Sequence, residues 1–321
     1  MSSCDEGLVA RDLSPDSDDL LRECVAGLRR RPRELPCKFL YDERGAELFE
    51  RICDLPEYYP TRTELGILEA NLGEIAERLG PSCLVVEPGS GDGRKTRILL
   101  GGLDRPSGYV PIDIAREQLW ATARELSAAH PEMEILPVCA DYAEPMELPA
   151  CSRPVARRVV YFPGSTIGNL HPVEARAFLR RMAELAGPGG AMLIGVDLRK
   201  DEATLLAAYN DRAGVTAAFN LNLLDRLNRE LGARFEVDGF EHRAVWNDRA
   251  SRMEMHLVCT RAQVATLGGE SFSFRPGESI RTECSYKYTP DAFAELAEGF
   301  RVGKVWTDPG RRFSVQYLEV R

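Results

Sequence analysis

The residues best placed to do chemistry stand at the ends of short apolar runs. Glu87-Pro88-Gly89-Ser90-Gly91-Asp92-Gly93 follows the run 83–87 (CLVVE) and precedes a helix-forming stretch. Glycines at such a turn let the chain reverse sharply and let a ligand press against bare backbone. A dinucleotide site would show G-x-G-x-x-G with phosphate on the helix N-terminus. Here the spacing is G-x-G-x-G, with an acid two positions before the first glycine. That carboxylate suits a ligand with a positively charged amino-acid end and repels a pyrophosphate. The next apolar run, 109–113 (YVPID), ends in Asp113, twenty residues after Gly93. An acid at that place can accept both hydroxyls of a ribose. Asp141-Tyr142 follows the third run, where an adenine would be bracketed. A glycine turn alone is usually an ordinary turn, and a strand-end acid is often a solvated or capping residue. Three at consecutive strand ends, where α/β sheets hold ligands, point to an adenosyl-cofactor site. Lys95 either contacts that cofactor's carboxylate or is a solvated helix residue.

The elements that would position these groups alternate. Apolar runs at 83–87, 109–113, 134–139, 159–162 and 191–196 read as buried strands, and 95–103, 115–129 and 173–186 as amphipathic helices. This alternation predicts a parallel sheet covered on both faces. Residues 1–70 read as helix and loop without a strong strand. Residues 199–285 read as a helical part (204–231) followed by β-type runs at 253–260 and 271–274. Residues 301–321 read as a hairpin turning at Asp308-Pro309-Gly310. A parallel sheet closed by an antiparallel C-terminal hairpin resembles the class I S-adenosylmethionine-dependent methyltransferases. The expected division is a cofactor-binding core, 66–198 with 286–321, and a smaller substrate-binding lobe, 1–65 with 199–285.

Composition narrows the class. The 321 residues are 44% hydrophobic and 28% charged, which excludes a disordered tail, a coiled coil or a collagen-like chain. Lys+Arg 41 against Asp+Glu 50 gives −9, with no basic block, so nucleic-acid binding is not expected. No stretch approaches the ~18 apolar residues of a membrane span. The start, with Asp5, Glu6, Asp12, Asp16, Asp18 and Asp19, is the opposite of a secretory signal. Nine cysteines without a CxxC pair argue against a disulfide framework and a zinc knuckle. A cytoplasmic monomer without a metal is expected.

Longer motifs carry a more specific resemblance. PCKFLYDERGAELFERICDLPEYYPTRTE (36–64), EPGSGDGRKTRILL (87–100), FPGSTIGNL (162–170), AYNDRAGVTAAFNLNLLDRLNREL (208–231) and RTECSYKYTP (281–290) resemble the ergothioneine-pathway L-histidine Nα-methyltransferases. The similarity runs in order from about residue 20 to the C-terminus, and FPGSTIGN and GVTAAFN are its distinctive parts. The resemblance implies transfer of three methyl groups from S-adenosylmethionine to the α-amine of free L-histidine, giving hercynine. It implies imidazole binding by Tyr58, Glu283 and Ser285, and carboxylate binding and amine orientation by Asn169 and Tyr209. Tyr41 corresponds to a tyrosine near the reacting amine. Gly89, Lys95, Asp113, Asp141 and Tyr142 match cofactor positions. Met255, in MEMHL, is a candidate for packing on the imidazole and equally a core methionine. The departures, Pro88 for an aliphatic residue and Tyr142 where some relatives have Phe, do not touch the chemistry.

The residue types suit that reaction. Methyl transfer from a sulfonium is an in-line displacement that needs a neutral amine and close approach, with little acid–base machinery. Glu283 can accept from one ring N–H while Ser285 satisfies the other nitrogen. An apolar side chain there would leave a buried carboxylate unpaired, at ~1–3 kcal/mol or more, so tryptophan and phenylalanine are expected to be poor substrates. None of the four histidines (130, 171, 242, 256) falls in a matched motif. The amine proton is expected to leave to water or to a tyrosine such as Tyr41. Without the resemblance, Tyr58-Tyr59 read equally as packing aromatics, Arg62 and Glu64 as a surface pair, and Glu283 and Ser285 as a solvent-facing strand edge. The competing functions are an Nα-methyltransferase for another free amino acid, a non-catalytic cofactor-binding subunit and, disfavoured by the glycine spacing, a nicotinamide oxidoreductase.

Overall fold

Buried apolar strands set the architecture. A computed structural model describes residues 11–13, 17–91, 93–142, 144 and 146–321; Asp5, Glu6, Cys4, Asp16 and Asp92 lie outside them. Its nine-stranded sheet runs in the order Arg11–Leu13, Val138–Ala140, Gly108–Asp113, Cys83–Pro88, Arg157–Phe162, Ala191–Asp197, Phe313–Val320, Phe300–Thr307, with Glu134–Ile135 also paired to Gly108–Asp113. Pairing is parallel as far as Ala191–Asp197. Phe313–Val320 then pairs antiparallel, and Phe300–Thr307 completes a hairpin with it. Asp308 fixes the hairpin loop by accepting from the backbone N–H groups of Gly310, Arg312 and Phe313 at 3.1, 2.6 and 2.9 Å. All six residues of Cys83–Pro88 and all seven of Ala191–Asp197 are buried, as strands covered on both faces must be.

From Cys83–Pro88 the strand order grows outward in both directions. The crevice beyond its carboxyl end and that of Arg157–Phe162 is therefore a topological switch point, where open α/β sheets bind ligands.

Three sequence expectations are refined. The 134–139 run splits into Glu134–Ile135 and Val138–Ala140 around Pro137, which has no N–H for the ladder. The helical part 204–231 is two helices, Glu202–Tyr209 and Val215–Leu231. Asp211 caps the second by accepting from Val215 N and Thr216 N at 2.9 and 2.8 Å. The first seventy residues, expected to hold no strong strand, contribute the short edge strand Arg11–Leu13 and the two-residue Arg33–Glu34.

Arg33–Glu34 belongs to a second, four-stranded sheet in the order Arg33–Glu34, Ser279–Tyr286, Arg252–Cys259, Phe240–Asn247. Buried residues from Leu20 to Tyr59 and from Leu205 to Ile280 pack into one hydrophobic core over this sheet, separate from the cores of the large one. Two elements join the two cores. Helix Tyr59–Leu79 places Tyr59 in the first and Ile67 onward in the second, and strand Ser279–Tyr286 runs from Ile280 in one to Tyr286 against the large sheet. No helix among the described residues is long and apolar enough to cross a membrane, and among them no three or more His, Cys, Asp or Glu gather so as to hold a metal ion. The eight cysteines described are free thiols.

Candidate active site

A cavity of about 820 Å³ opens at the switch point, between the carboxyl ends of the parallel strands and the second sheet. Eleven of the twelve candidate residues line it.

On the sheet side the glycine turn is bare for a reason. Gly89 has φ +71°, and a Cβ there would lie 3.3 Å from the Tyr142 ring, in the space a flat ligand would share. Asp113 is tethered by Gly91 N and Ala115 N, which donate to its two oxygens at 3.1 and 2.9 Å. A carboxylate has about four acceptor sites, so it keeps free lone pairs beside the cavity. Asp141 accepts from Lys38 Nζ at 3.0 Å, and Lys38 also pairs with Glu23 at 3.1 Å. Tyr142 stands edge-on to Phe162 and Phe178, with centroids 5.9 and 6.0 Å away. A bare backbone turn, an anchored carboxylate and an aromatic wall form a donor–acceptor set that fits an adenosine group.

Lys95 has a partner that sequence reasoning missed. Its ammonium lies 2.6 Å from Glu64, which is 1% exposed and also takes Gly164 N–H on both oxygens, at 3.1 and 2.9 Å. Glu64 is thus no surface residue; it ties the helix after the glycine turn to the loop after Arg157–Phe162. Arg62 is exposed but caps carbonyls of Leu55, Pro56 and Tyr58. Replacing Glu64 by alanine strands Lys95 in a half-buried site, with an expected loss of about 3 kcal/mol in unfolding free energy and weaker binding of S-adenosylhomocysteine, both readable by thermal melts with and without that ligand.

The loop leading to Asn169 holds unusual backbone. Gly164 and Ser165 have positive φ (80° and 58°), and the short 3-10 helix Thr166–Asn169 follows. Ser165 is held there by its hydroxyl, which accepts from Asp197 N at 2.8 Å. A Cβ on Gly168 would sit 2.8 Å from the Tyr286 carbonyl, so only glycine lets this turn lie against strand Ser279–Tyr286 and bring Asn169 to the cavity.

Opposite the glycine turn stand Tyr41, Tyr58, Tyr209, Glu283 and Ser285. Tyr41 packs edge-on against Phe49 and Phe219, and Phe49 in turn against Tyr58. Burial, with Glu283's charge second for Tyr41, pushes the phenols of Tyr41 and Tyr58 well above their ordinary range. Glu283 is 9% exposed; burial lifts its carboxyl to about 7, against the opposing charge of Lys287. Among the described residues, the Tyr41 and Tyr58 hydroxyls, the Asn169 amide and the Glu283 carboxylate have no hydrogen-bond or ion-pair partner. Polar groups gathered unpaired in one cavity are costly unless something else completes them.

Ser285 and Tyr209, by contrast, belong to a network. Tyr209 hydroxyl donates to Ser285 Oγ at 2.8 Å, and Lys287 Nζ donates to both, at 2.9 and 2.8 Å. Lys287 pairs with Asp197 at 2.8 Å. Asp197 also takes Lys200 Nζ at 2.7 Å and the Tyr59 hydroxyl at 2.7 Å. Burial raises Asp197's carboxyl, but the two ammonium groups outweigh it and hold the group below its usual range. Burial pulls Lys200 down to about 8 against Asp197's pull. His242 supports the same place from the second sheet, with Nε2 2.9 Å from Tyr209 O and Nδ1 2.9 Å from Asn220 Nδ2.

Two candidates are engaged within the protein. Met255 lies opposite Glu283 in the antiparallel register but is 2% exposed within the lobe core, and it is the candidate that does not reach the cavity wall. Tyr209 lines the cavity as expected, and its hydroxyl lies 2.8 Å from Ser285 Oγ. Of the four histidines, His171 reaches the cavity, with Nδ1 2.9 Å from the Tyr286 hydroxyl. Lys287, Asp197, Lys200, Tyr59 and Glu64 escaped sequence reasoning. One signal pointed to Lys287: it continues the every-second-residue alternation of Glu283 and Ser285.

Comparisons agree with this geometry. The family described as "Histidine-specific methyltransferase, SAM-dependent" matches residues 20–320. The chain is similar to the histidine N-alpha-methyltransferase of Mycolicibacterium smegmatis, 44% identical, covering 98% of this chain and 99% of that one. It is 42% identical to the protein of that name from Mycobacterium tuberculosis, over 96% and 97%. Ergothioneine biosynthesis protein 1 of Neurospora crassa is 32% identical over 86% of this chain, which spans 32% of that longer protein. With a family match over nearly the whole length and full-length relatives to support it, this chain belongs to the histidine-specific, S-adenosylmethionine-dependent methyltransferases.

Proposed function

We propose that the protein is an enzyme that methylates the α-amine of free L-histidine to its trimethyl betaine, hercynine, the first step of ergothioneine biosynthesis. The observation that carries this reading is the set of unpaired polar groups (Glu283, Asn169, Tyr58, Tyr41) facing the same cavity as the glycine turn. Gly89, Asp113, Asp141 and Tyr142 would hold S-adenosylmethionine, with Lys95 beside its amino-acid end. When bound, that donor supplies an electrophilic methyl on a sulfonium.

The remaining work falls to the chain's own residues. Glu283 accepts the imidazole N–H and Ser285 meets the other ring nitrogen. Asn169 holds the carboxylate with a neutral amide. The substrate is thus gripped by its two fixed ends while the amine between them grows by three methyl groups, and orientation does most of the catalysis. Tyr41 stays a neutral phenol, because burial disfavours its phenolate. We therefore assign it the role of orienting the amine by a hydrogen bond, and route the amine proton to water rather than to a phenolate. Tyr41→Phe is expected to lower kcat by on the order of tenfold and to leave every limb of the pH–rate profile in place; disappearance of an alkaline limb would instead make the tyrosine a base. We assign the donor to 66–198 with 286–321 and the acceptor to 1–65 with 199–285, apart from Asn169, which reaches the acceptor from the donor's side.

Mass spectrometry of histidine incubated with the protein and S-adenosylmethionine tests the reaction. Mono-, di- and trimethylated species are expected in succession, and preferential methylation of another amino acid in a mixture would overturn the substrate.

A further inference from the structure

Lys287 follows directly on strand Ser279–Tyr286 and is 3% exposed in the cavity wall. Its ammonium contacts three oxygens: Asp197 Oδ2 at 2.8 Å, Tyr209 hydroxyl at 2.9 Å and Ser285 Oγ at 2.8 Å. An ammonium has three protons and accepts nothing, so these contacts use all three. The bond between the two hydroxyls takes its direction from acidity, since a phenol donates to an aliphatic hydroxyl more readily than the reverse. Tyr209's oxygen accepts from Lys287, and its own proton goes to Ser285 Oγ at 2.8 Å. Ser285 Oγ accepts twice, from Lys287 and from Tyr209. A hydroxyl has two lone pairs and one proton. With both lone pairs filled, Ser285 has only its proton left to offer, and the cavity is where it can offer it.

We infer that Lys287 is a positioning residue that fixes Ser285 as a hydrogen-bond donor, so that the pocket selects a ring bearing one N–H and one bare nitrogen. This rests on the proposed histidine reading. Glu283, which has no partner among the described residues, supplies the matching acceptor. A neutral imidazole carries one group of each kind. An indole offers only the N–H, and a phenyl neither. Without the ammonium, one lone pair of Ser285 Oγ falls free and can face the ring, so that Ser285 and Glu283 both present acceptors. Burial opposes the charge on Lys287, but Asp197 and then Tyr209 more than restore it, so the donor is present at working pH.

The test combines a double-mutant cycle with a pair of inhibitors. Lys287→Met, Ser285→Ala and the double variant are compared for KM and kcat with histidine at pH 8, and for affinity toward S-adenosylhomocysteine. Lys287→Met is expected to raise KM on the order of tenfold to a hundredfold, with S-adenosylhomocysteine affinity within about twofold. In the Ser285→Ala background the same change adds less than about threefold, because the lost contact is shared. Inhibition by β-(4-thiazolyl)alanine, whose ring nitrogen is bare, is compared with that by β-(2-thienyl)alanine, which has none. Wild-type protein prefers the former about tenfold, and Lys287→Met loses that preference. If the preference survives, or the KM losses multiply, Lys287 does not act through Ser285. Should the single variant not fold, the charge-neutral pair Lys287→Met with Asp197→Asn carries the same measurements. Wild-type protein that leaves histidine unmethylated overturns the proposed reaction instead, and calorimetric binding of the same two analogues still reads the polarity of Ser285.

Discussion

Glu283→Gln is expected to lower kcat/KM for histidine about a hundredfold at pH 8. The carboxylate it replaces is buried, unpartnered and aimed into the cavity, and a charge-assisted bond from an imidazole N–H is roughly twice as strong as one to an amide. The pH dependence separates the variant from a merely misfolded one. Burial places Glu283 near 7, and a free histidine ring titrates at about 6.5. Below about pH 6.5 both groups carry a proton, and both protons must leave before a ring with one bare nitrogen can meet an ionised carboxylate. The wild-type Kd for histidine therefore rises by up to ~hundredfold per pH unit on the acid side, while the glutamine variant, whose carbonyl is always an acceptor, keeps only the ring's own limb of up to ~tenfold per unit. Stability moves the other way. The folded pKa lies above the unfolded one, so the ligand-free protein loses stability as pH rises from about 4.5 to about 7 and is level beyond. Glu283→Gln removes that loss, and its melting temperature should exceed the wild-type value at pH 8 but not at pH 4.5. Calorimetric titration from pH 5.5 to 8.5 with parallel melts checks both; a glutamine variant that binds histidine as tightly as wild type at pH 8 would contradict the assignment.

Asp197→Ala is expected to cost about 3–5 kcal/mol, a large share of a typical 5–15 kcal/mol total. Asp197 is 1% exposed and is the shared partner of two buried ammonium groups, Lys200 and Lys287, and of the Tyr59 hydroxyl. Its loss leaves the lysines to repel each other in a place where burial already pulls Lys200 to about 8. Histidine turnover should fall with stability, because Lys287 no longer has the anchor that holds Tyr209 and Ser285. Asp197→Asn keeps an oxygen for Lys287 and should be the milder change. Denaturant unfolding of the three proteins decides it; an alanine variant as stable as wild type would mean that the lysines find other partners.

How much of this was written in the sequence depends on how local each signal is. The strands and their ligand-facing ends were legible because a parallel strand covered on both faces is a continuous apolar run, and because the turn after Pro88 is written in glycines. The C-terminal hairpin was legible because Asp308-Pro309-Gly310 marks its loop. Pairings between distant segments were not. Glu64 and Lys95 meet only because a helix from the first segment crosses the sheet, so Glu64 read as half of a surface pair with Arg62, and Lys95 as either a cofactor contact or a solvated helix residue. Met255 shows the limit of alternation: strand periodicity gives the face, but not whether that face is cavity or core. The break at 210–214 was missed because the flanking segments, Glu202–Tyr209 and Val215–Leu231, are both helix formers, divided by the capping carboxylate of Asp211 and the left-handed Gly214 at φ +73°. The roles of Tyr58, Asn169 and Glu283 came from resemblance, since nothing in their own spacing requires a common cavity.

The most direct test is a crystal structure with S-adenosylhomocysteine and L-histidine bound together. The imidazole should lie between Glu283 and Ser285, each nitrogen within about 3 Å of one of them, with the amine turned toward the sulfur over the Gly89 turn. A histidine whose ring contacts neither residue, or whose amine faces away from the sulfur, would contradict the account.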